Sequence, residues 1–189
     1  MIKLNGKIVE LNHFPDGTLR MDIDVFEHSD YREFYRINWK FENNEELVGL
    51  IYLVKHIRRF TKNSPIILCM NYIPNARMDR VKNNNDVFTL KYFSEIINSL
   101  NFNDVVVCDP HSSVSEALIN NIRISGIEPL ITSILKRIGK DTIIYFPDNG
   151  AAKKYEDLFK GCKTVYGIKH RDWVTGKIQG LEVITNGID

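Results

Sequence analysis

The stretch that most restricts the fold is Val105–Ser113, which reads Val-Val-Val-Cys-Asp-Pro-His-Ser-Ser. Its leading apolar residues, mostly β-branched, are typical of a strand that is buried on both faces, as in a parallel sheet. Proline cannot continue a central strand, so the run ends at Pro110. We therefore predict Asp109 and His111 at the carboxyl end of a strand, which is where ligands bind in open α/β sheets.

Helix and strand patterns alternate before that strand. Apolar residues at helical spacing predict a helix from Asn43 to Phe60 with Asn44 as its cap, and Pro65 opens a buried strand over Ile66–Met70. A second amphipathic helix is predicted between residues 90 and 100. Strand, loop, helix and strand in this order indicate a right-handed parallel crossover connection. Nearer the N-terminus, turn residues at 15–17 separate two short strands, and a further strand is predicted within 31–40.

The same alternation returns in the last third of the chain. A helix is predicted over 130–138, a buried strand over 142–146, a helix over 151–159 and a strand over 164–168. A fresh series begins near Ile124 to Gly126, so we predict two domains, 1–124 and 125–189. The predicted class is α/β, with two related halves whose mainly parallel sheets are flanked by helices.

Charge and cysteine content narrow the classes of function. With 25 Lys and Arg against 24 Asp and Glu, the net charge of +1 predicts neither a nucleic-acid partner nor a membrane surface, so any anion site must be local. Cys69, Cys108 and Cys162 stand far apart, and two of them lie in apolar strand-like runs, which favours buried thiols in a reducing compartment. No segment reaches the roughly 20 apolar residues that span a bilayer. We therefore expect a cytoplasmic protein.

Polar side chains follow each of the predicted parallel strands. The clusters are Arg77, Asp79 and Arg80 after the first strand, Asp109 and His111 after the second, Asp148 after the third, and Lys169 with Arg171 after the fourth. We expect these clusters to meet at one edge of a sheet. Carboxylates take a hard metal ion, and guanidinium or ammonium groups neutralise phosphate charge, so the set suits a magnesium-bound polyphosphate.

Each cluster also has a purely structural interpretation. Asp109 could cap the following segment, and the Arg77, Asp79 and Arg80 group could be a solvated ion-pair cluster. Asp148 could belong to a simple turn. The joint placement of the clusters at strand ends is what favours a functional site.

Five motifs in order resemble those of the ribose-phosphate diphosphokinases, also called phosphoribosyl pyrophosphate synthetases. Phe14–Gly17 resembles that family's Phe-x-Asp-Gly-Glu loop, and Tyr72–Arg80 resembles its Tyr-x-Pro-Tyr-Ala-Arg-Gln-Asp-Arg motif. Asp109–Ser112 resembles Asp-Leu-His-Ser, Pro147–Lys153 resembles Pro-Asp-x-Gly-Gly-x-Lys, and Lys169–Arg171 resembles Lys-x-Arg. Together they cover nearly the whole chain.

The resemblance implies two phosphoribosyltransferase-like domains and a homo-oligomer. It implies a reaction in which the C1 hydroxyl of ribose 5-phosphate, or of a related sugar, attacks the β-phosphorus of MgATP and releases AMP. It places Phe14 and Asp16 by the adenine of a neighbouring subunit, and Arg77, Asp79, Arg80, Asp109 and His111 around the ATP. It assigns His111 and Asp148 to magnesium, and Lys169 and Arg171 to the transferring diphosphoryl group.

The chain also departs from that family's pattern. Thr18 stands where the family usually has a Glu, and Met78 replaces a Gln beside the nucleotide. The family's acidic Gly/Thr-rich loop for the ribose 5-phosphate is absent before Asp189. We therefore expect a second half that is incomplete, either because the chain is a fragment of a diphosphokinase or because it is a naturally short, non-catalytic nucleotide-binding relative. A metal-dependent phosphohydrolase that uses Asp109, His111 and Asp148 is a third alternative.

Overall fold

A computed structural model describes residues 1–25, 34–61, 63–139, 141–171 and 178–184. For residues 169–171, 178, 179 and 181 it describes the backbone alone. The chain divides into two compact units, Met1–Gly126 and Ile127–Asp189. The predicted class, α/β with a mainly parallel sheet flanked by helices, is confirmed.

A mixed sheet with strand order β2-β1-β5-β6-β7-β8 forms the centre of the first unit. Neighbouring strands from β5 to β8 are parallel, and β1 pairs antiparallel with both β2 and β5. A separate antiparallel ribbon, β3 with β4, carries the predicted turn at 15–17. The strands of this unit are β1 Ile2–Leu4, β2 Lys7–Ile8, β3 Asn12–His13, β4 Leu19–Arg20, β5 Tyr35–Trp39, β6 Ile66–Met70, β7 Asp104–Cys108 and β8 Ile122–Ser125.

The helices of this unit are α1 Glu45–Phe60, α2 Thr89–Ser99 and α3 Ser113–Leu118. Leu50, Val54 and Ile57 of α1 are buried, as their spacing predicts. Asn44 is the N-cap residue of α1, as predicted, but the capping hydrogen bond comes from the residue before it. Asn44 already has helical backbone angles and its side chain makes no capping bond, whereas Asn43 Oδ1 accepts a hydrogen bond from the Glu46 amide at 3.1 Å.

The strand order determines which face of the sheet is covered. Crossovers in parallel sheets are right-handed as a rule, and between consecutive neighbours, here β5 to β6 to β7 to β8, such crossovers bring the connecting helices to the same face. The prediction that β7 is buried on both faces was therefore wrong: Val105 and Val107 are buried in the core, while Val106 is half-buried and Cys108 is exposed. For the same reason the Cys108 thiol is not a buried one.

The second unit contains a three-stranded sheet of order β11-β10-β9, with β9 Ile143–Phe146, β10 Lys163–Arg171 and β11 Ile178–Ile184. Strand β10 is parallel to β9 and antiparallel to β11. Its helices are α4 Glu128–Ile138 and α5 Asn149–Tyr155, and a 3-10 turn follows α5 at Glu156–Phe159. The predicted burial of β9 was wrong, since Ile143 is 48% and Tyr145 is 45% exposed, and only Phe146 of this strand is buried.

Candidate functional site

A buried carboxylate joins the loops that follow β6 and β7. The Asp79 side chain is 8% exposed and accepts a hydrogen bond at Oδ1 from Arg80 Nε at 3.1 Å. The Arg80 side chain is 72% exposed, so its guanidinium lies at the surface directly above a buried anion. These two residues are adjacent in the sequence motif, and their side chains are hydrogen-bonded to each other in the fold.

The electrostatics of Asp79 reveal its other neighbours. The pKa of this carboxyl lies below its ordinary value, first because of the hydrogen bond from Arg80 and, despite an opposing effect of burial, also because of the Ser112 hydroxyl. Electrostatic interaction with Arg80 and with the imidazole of His111 lowers the pKa of Asp79 further. The loop after β7 therefore lies beside the loop after β6, and Asp79 remains ionised between them.

Ser112 is the residue of this site that sequence reasoning missed. Its hydroxyl is buried and has no hydrogen-bond partner of standard geometry among the described residues, although it lies close enough to Asp79 to affect the pKa of that carboxyl. It directly precedes α3, a position where serine is common, and this was the signal that could have identified it.

Asp109 has a backbone conformation that side chains rarely adopt. Its φ of +50° lies in the left-handed region, immediately after β7 and before Pro110. The residue is half-buried and interacts with neighbouring groups. This bend turns the chain so that the next loop, with His111 and Ser112, meets Asp79.

We expect Asp109→Ala to be less stable than Asp109→Gly by about 1 kcal/mol, because only glycine adopts a positive φ without steric cost. Both variants remove the carboxylate, so the difference between their free energies of unfolding reports the cost of the positive φ alone. Urea unfolding followed by circular dichroism measures both free energies of unfolding. Equal stability, or a more stable alanine variant, would contradict the strained bend.

A similar bend exposes Arg77. Asn75, which stands where the resembled motif has Tyr, has a φ of +64°, and its carbonyl accepts a hydrogen bond from the Met78 amide at 3.0 Å. Asparagine tolerates this conformation better than most residues. Ala76 is buried, and Arg77 is exposed next to it. The loop therefore presents Arg77 and Arg80 to solvent on either side of Asp79.

The β3–β4 ribbon carries Phe14 and Asp16, and the Asp16 side chain is hydrogen-bonded to Thr18 of the same turn. Asp16 Oδ1 accepts hydrogen bonds from the Thr18 amide at 3.0 Å and the Thr18 hydroxyl at 2.7 Å. These bonds lower the pKa of the Asp16 carboxyl, the backbone bond most. Thr18 therefore stabilises the turn at the position where the resembled family has Glu. Phe14 is 50% exposed, with the Arg20 guanidinium 5.9 Å from its ring centre.

Asp148, in the second unit, caps a helix. Its Oδ1 accepts a hydrogen bond from the Ala151 amide at 2.9 Å, at the start of α5. Lys169 and Arg171 lie within β10, which continues through Arg171. Their side chains lie outside the part of the chain that the structure describes. The roles of all three residues stay predictions.

The expectation that all the polar clusters meet at one edge of a single sheet was wrong. The clusters around Asp79 and Asp109 follow strands of the first unit's sheet. In the second unit's separate sheet, Asp148 follows β9 and Lys169 lies in β10. Lys169 also lies inside a strand and not after its end, because β10 pairs with β11, a strand that was not predicted. Within the described residues no group of three or more His, Cys, Asp or Glu side chains is placed to hold a metal ion.

The geometry of the first unit suits an anion. Three exposed cationic or protonatable side chains, Arg77, Arg80 and His111, belong to two loops at the carboxyl ends of parallel strands. The buried Asp79 carboxylate accepts a hydrogen bond from Arg80 and interacts electrostatically with His111. Such a site can bind the oxygens of a phosphate chain by charge-assisted hydrogen bonds.

No protein-family model and no curated protein matches this sequence. Among solved structures, the crystal structure of phosphoribosylpyrophosphate synthetase from Mycobacterium smegmatis superposes with a TM-score of 0.70. The two share a fold. The match covers 94% of this chain at 14% sequence identity, and this chain spans 58% of the length of that protein. At that identity the likeness establishes the fold and not the activity.

In the described part of the chain, no helix combines the length and the apolar character needed to cross a membrane.

Proposed function

We propose that this chain acts as a ribose-phosphate diphosphokinase, with MgATP and ribose 5-phosphate or a related 5-substituted ribose as substrates. The observation that carries the proposal is the Asp79 cluster, which brings Arg80 and His111 together from two strand-end loops. The fold shared with a phosphoribosylpyrophosphate synthetase supports the same assignment.

In the proposed reaction the C1 hydroxyl of the sugar attacks the β-phosphorus of ATP. A bond forms between the sugar oxygen and that phosphorus, the bond from the phosphorus to the α,β-bridging oxygen breaks, AMP leaves with that oxygen, and the hydroxyl proton passes to water. Arg77 and His111 bind phosphate oxygens. Asp109 supports the loop that carries His111, and Asp79 holds the Arg80 side chain at the edge of this site. His111 would contribute to holding the magnesium of MgATP, and Asp148 would hold magnesium on the ribose side; the ion would neutralise charge on the phosphate oxygens. Catalysis of this kind depends on positioning and electrostatics, and no covalent nucleophile is required.

Lys169 and Arg171 stabilise the charge on the transferring diphosphoryl group in this proposal. The Phe14–Gly17 turn contacts the adenine of a neighbouring subunit, so the active form is a homo-oligomer. Hydrogen bonds from Thr18 to Asp16 already close the Phe14–Gly17 turn, so the aromatic ring of Phe14 is the group that makes this contact.

Phosphorus NMR on the chain mixed with magnesium, ATP and ribose 5-phosphate tests the proposal. We expect the signals of AMP and of an anomeric diphosphate to appear together. Inorganic phosphate without AMP would instead favour a phosphohydrolase. Broadened or shifted ATP signals without turnover would favour a non-catalytic nucleotide-binding relative, and unchanged ATP signals would overturn nucleotide binding altogether.

A further inference from the structure

A cavity of about 370 Å³ lies in the first unit between the β3–β4 ribbon, the segment that follows it and helix α1. Its volume falls within the range of pockets that hold small ligands. Its lining residues come from the ribbon, from residues 19–23 and from α1, and none of them belongs to the Asp79 cluster. Phe14 already has a role in the proposed diphosphokinase site, but the other lining residues have none, so that site does not account for most of the cavity.

The lining of this cavity suits a flat apolar ring. Phe14 and Tyr52 are half-exposed aromatic side chains, at 50% and 51%, and both line the cavity. Leu19, Ile23 and Leu53 contribute aliphatic surface. Aromatic rings bind other aromatic rings by offset or edge-to-face stacking, so two such walls favour a planar ligand.

The charges at the cavity cancel each other. Arg20 and Asp22, which both line it, form an ion pair with 3.0 Å between Arg20 Nη2 and Asp22 Oδ2. The same guanidinium lies near the Phe14 ring. Because the pair is neutral as a whole, the cavity offers no net attraction to a phosphate or another charged group, and an uncharged ligand suits it better.

His56 adds one directional polar group. Its Nε2 lies 3.1 Å from the Ile23 carbonyl oxygen, which can only accept a hydrogen bond. In the neutral ring Nε2 must then carry the proton, and Nδ1 is an acceptor. The ring also packs edge-on against Phe60, with 5.1 Å between ring centres, which helps to hold its orientation.

We propose that this cavity binds an uncharged, flat nitrogen heterocycle that stacks against Tyr52 and donates a hydrogen bond from a ring N–H to His56 Nδ1. Such a ligand matches the aromatic walls, the neutral Arg20–Asp22 ion pair and the acceptor atom His56 Nδ1 together. The proposal does not rest on the diphosphokinase activity, because the ligand contacts it names are made by Tyr52 and His56, to which that activity gives no role.

Two probes that differ in one group test the hydrogen bond. Benzimidazole has a ring N–H, and 1-methylbenzimidazole does not. Ligand-observed NMR titrations on the full chain, at about pH 8 where both probes are uncharged, should show benzimidazole binding about tenfold more tightly. Equal affinity would overturn the role of His56, and no binding of either probe would overturn the site.

A matched pair of variants tests the stacking wall. Tyr52 on α1 and Tyr92 on α2 are equally exposed, at 51% each, so Tyr52→Leu and Tyr92→Leu perturb the surface to a similar degree. We expect Tyr52→Leu to weaken benzimidazole binding about fivefold and Tyr92→Leu to leave it unchanged. If both variants behave alike, the probe binds elsewhere and the proposal fails. Circular dichroism of each variant confirms that both remain folded.

Discussion

Lys169→Ala is expected to slow AMP formation about a thousandfold, while ATP affinity changes little. The diphosphoryl group carries concentrated negative charge as it moves between two oxygens, and a cation that meets it only then lowers the barrier more than it tightens binding. The residues assigned to ATP lie in the first unit, whereas Lys169 lies on β10 of the second. We therefore expect this variant to lose turnover while its ATP affinity stays close to that of the parent chain.

Lys163→Ala is the matched control for that experiment, because Lys163 begins the same strand and is exposed. Initial rates by phosphorus NMR and ATP affinity by calorimetry compare the two variants. Unchanged turnover in Lys169→Ala, or an equal loss in Lys163→Ala, would remove Lys169 from the proposed mechanism.

Glu46→Ala is expected to lower the free energy of unfolding by about 3 kcal/mol. Glu46 is 4% exposed, and its Oε2 accepts hydrogen bonds from Trp39 Nε1 at 3.0 Å and from the Glu42 amide at 2.9 Å. The other oxygen pairs with the ammonium group of Met1. Without the carboxylate, the buried indole N–H loses its acceptor in a site that water cannot easily reach.

The control for Glu46 is Glu95→Ala, an exposed glutamate within α2. Urea unfolding should place Glu95→Ala within about 0.5 kcal/mol of the parent chain. A similar small change for Glu46→Ala would show that the network around Trp39 contributes little to stability.

Sequence periodicity predicted the elements that pack against the core of the first unit. Helix α1 and strand β6 were found where the apolar spacing indicated them, because each buries a complete face or stripe. Strand β8 was missed, since its sequence Ile-Arg-Ile-Ser has only two apolar residues and takes its conformation from pairing with β7. Strand β11 was missed as well, and without it Lys169 and Arg171 had been expected after the end of a strand.

The candidate site was predictable in its residue types but not in its contacts. Motif spacing selected Asp79, Arg80 and His111, yet no spacing rule states that a carboxylate from one loop is buried beside a histidine from the next. That contact depends on the left-handed turn at Asp109, a conformation that aspartate adopts in a minority of cases. Thr18 was recognised only as a departure from a pattern, whereas the structure shows that it closes the Asp16 turn.

The consecutive order of β5 to β8 bears on how the first unit folds. Each of these strands pairs with the next one along the chain, so the loops that must close are comparatively short for a parallel sheet. The shortest of these closures joins β7 to β8, where Val105 pairs with Ile122. Strand β6 pairs with β7 (Ile67 with Asp104), and β1 pairs with β5 (Ile2 with Trp39), across about twice as many residues. We therefore expect the amides that join β7 to β8 to acquire protection from hydrogen exchange earliest during refolding, and those that join β6 to β7 and β1 to β5 to gain it later.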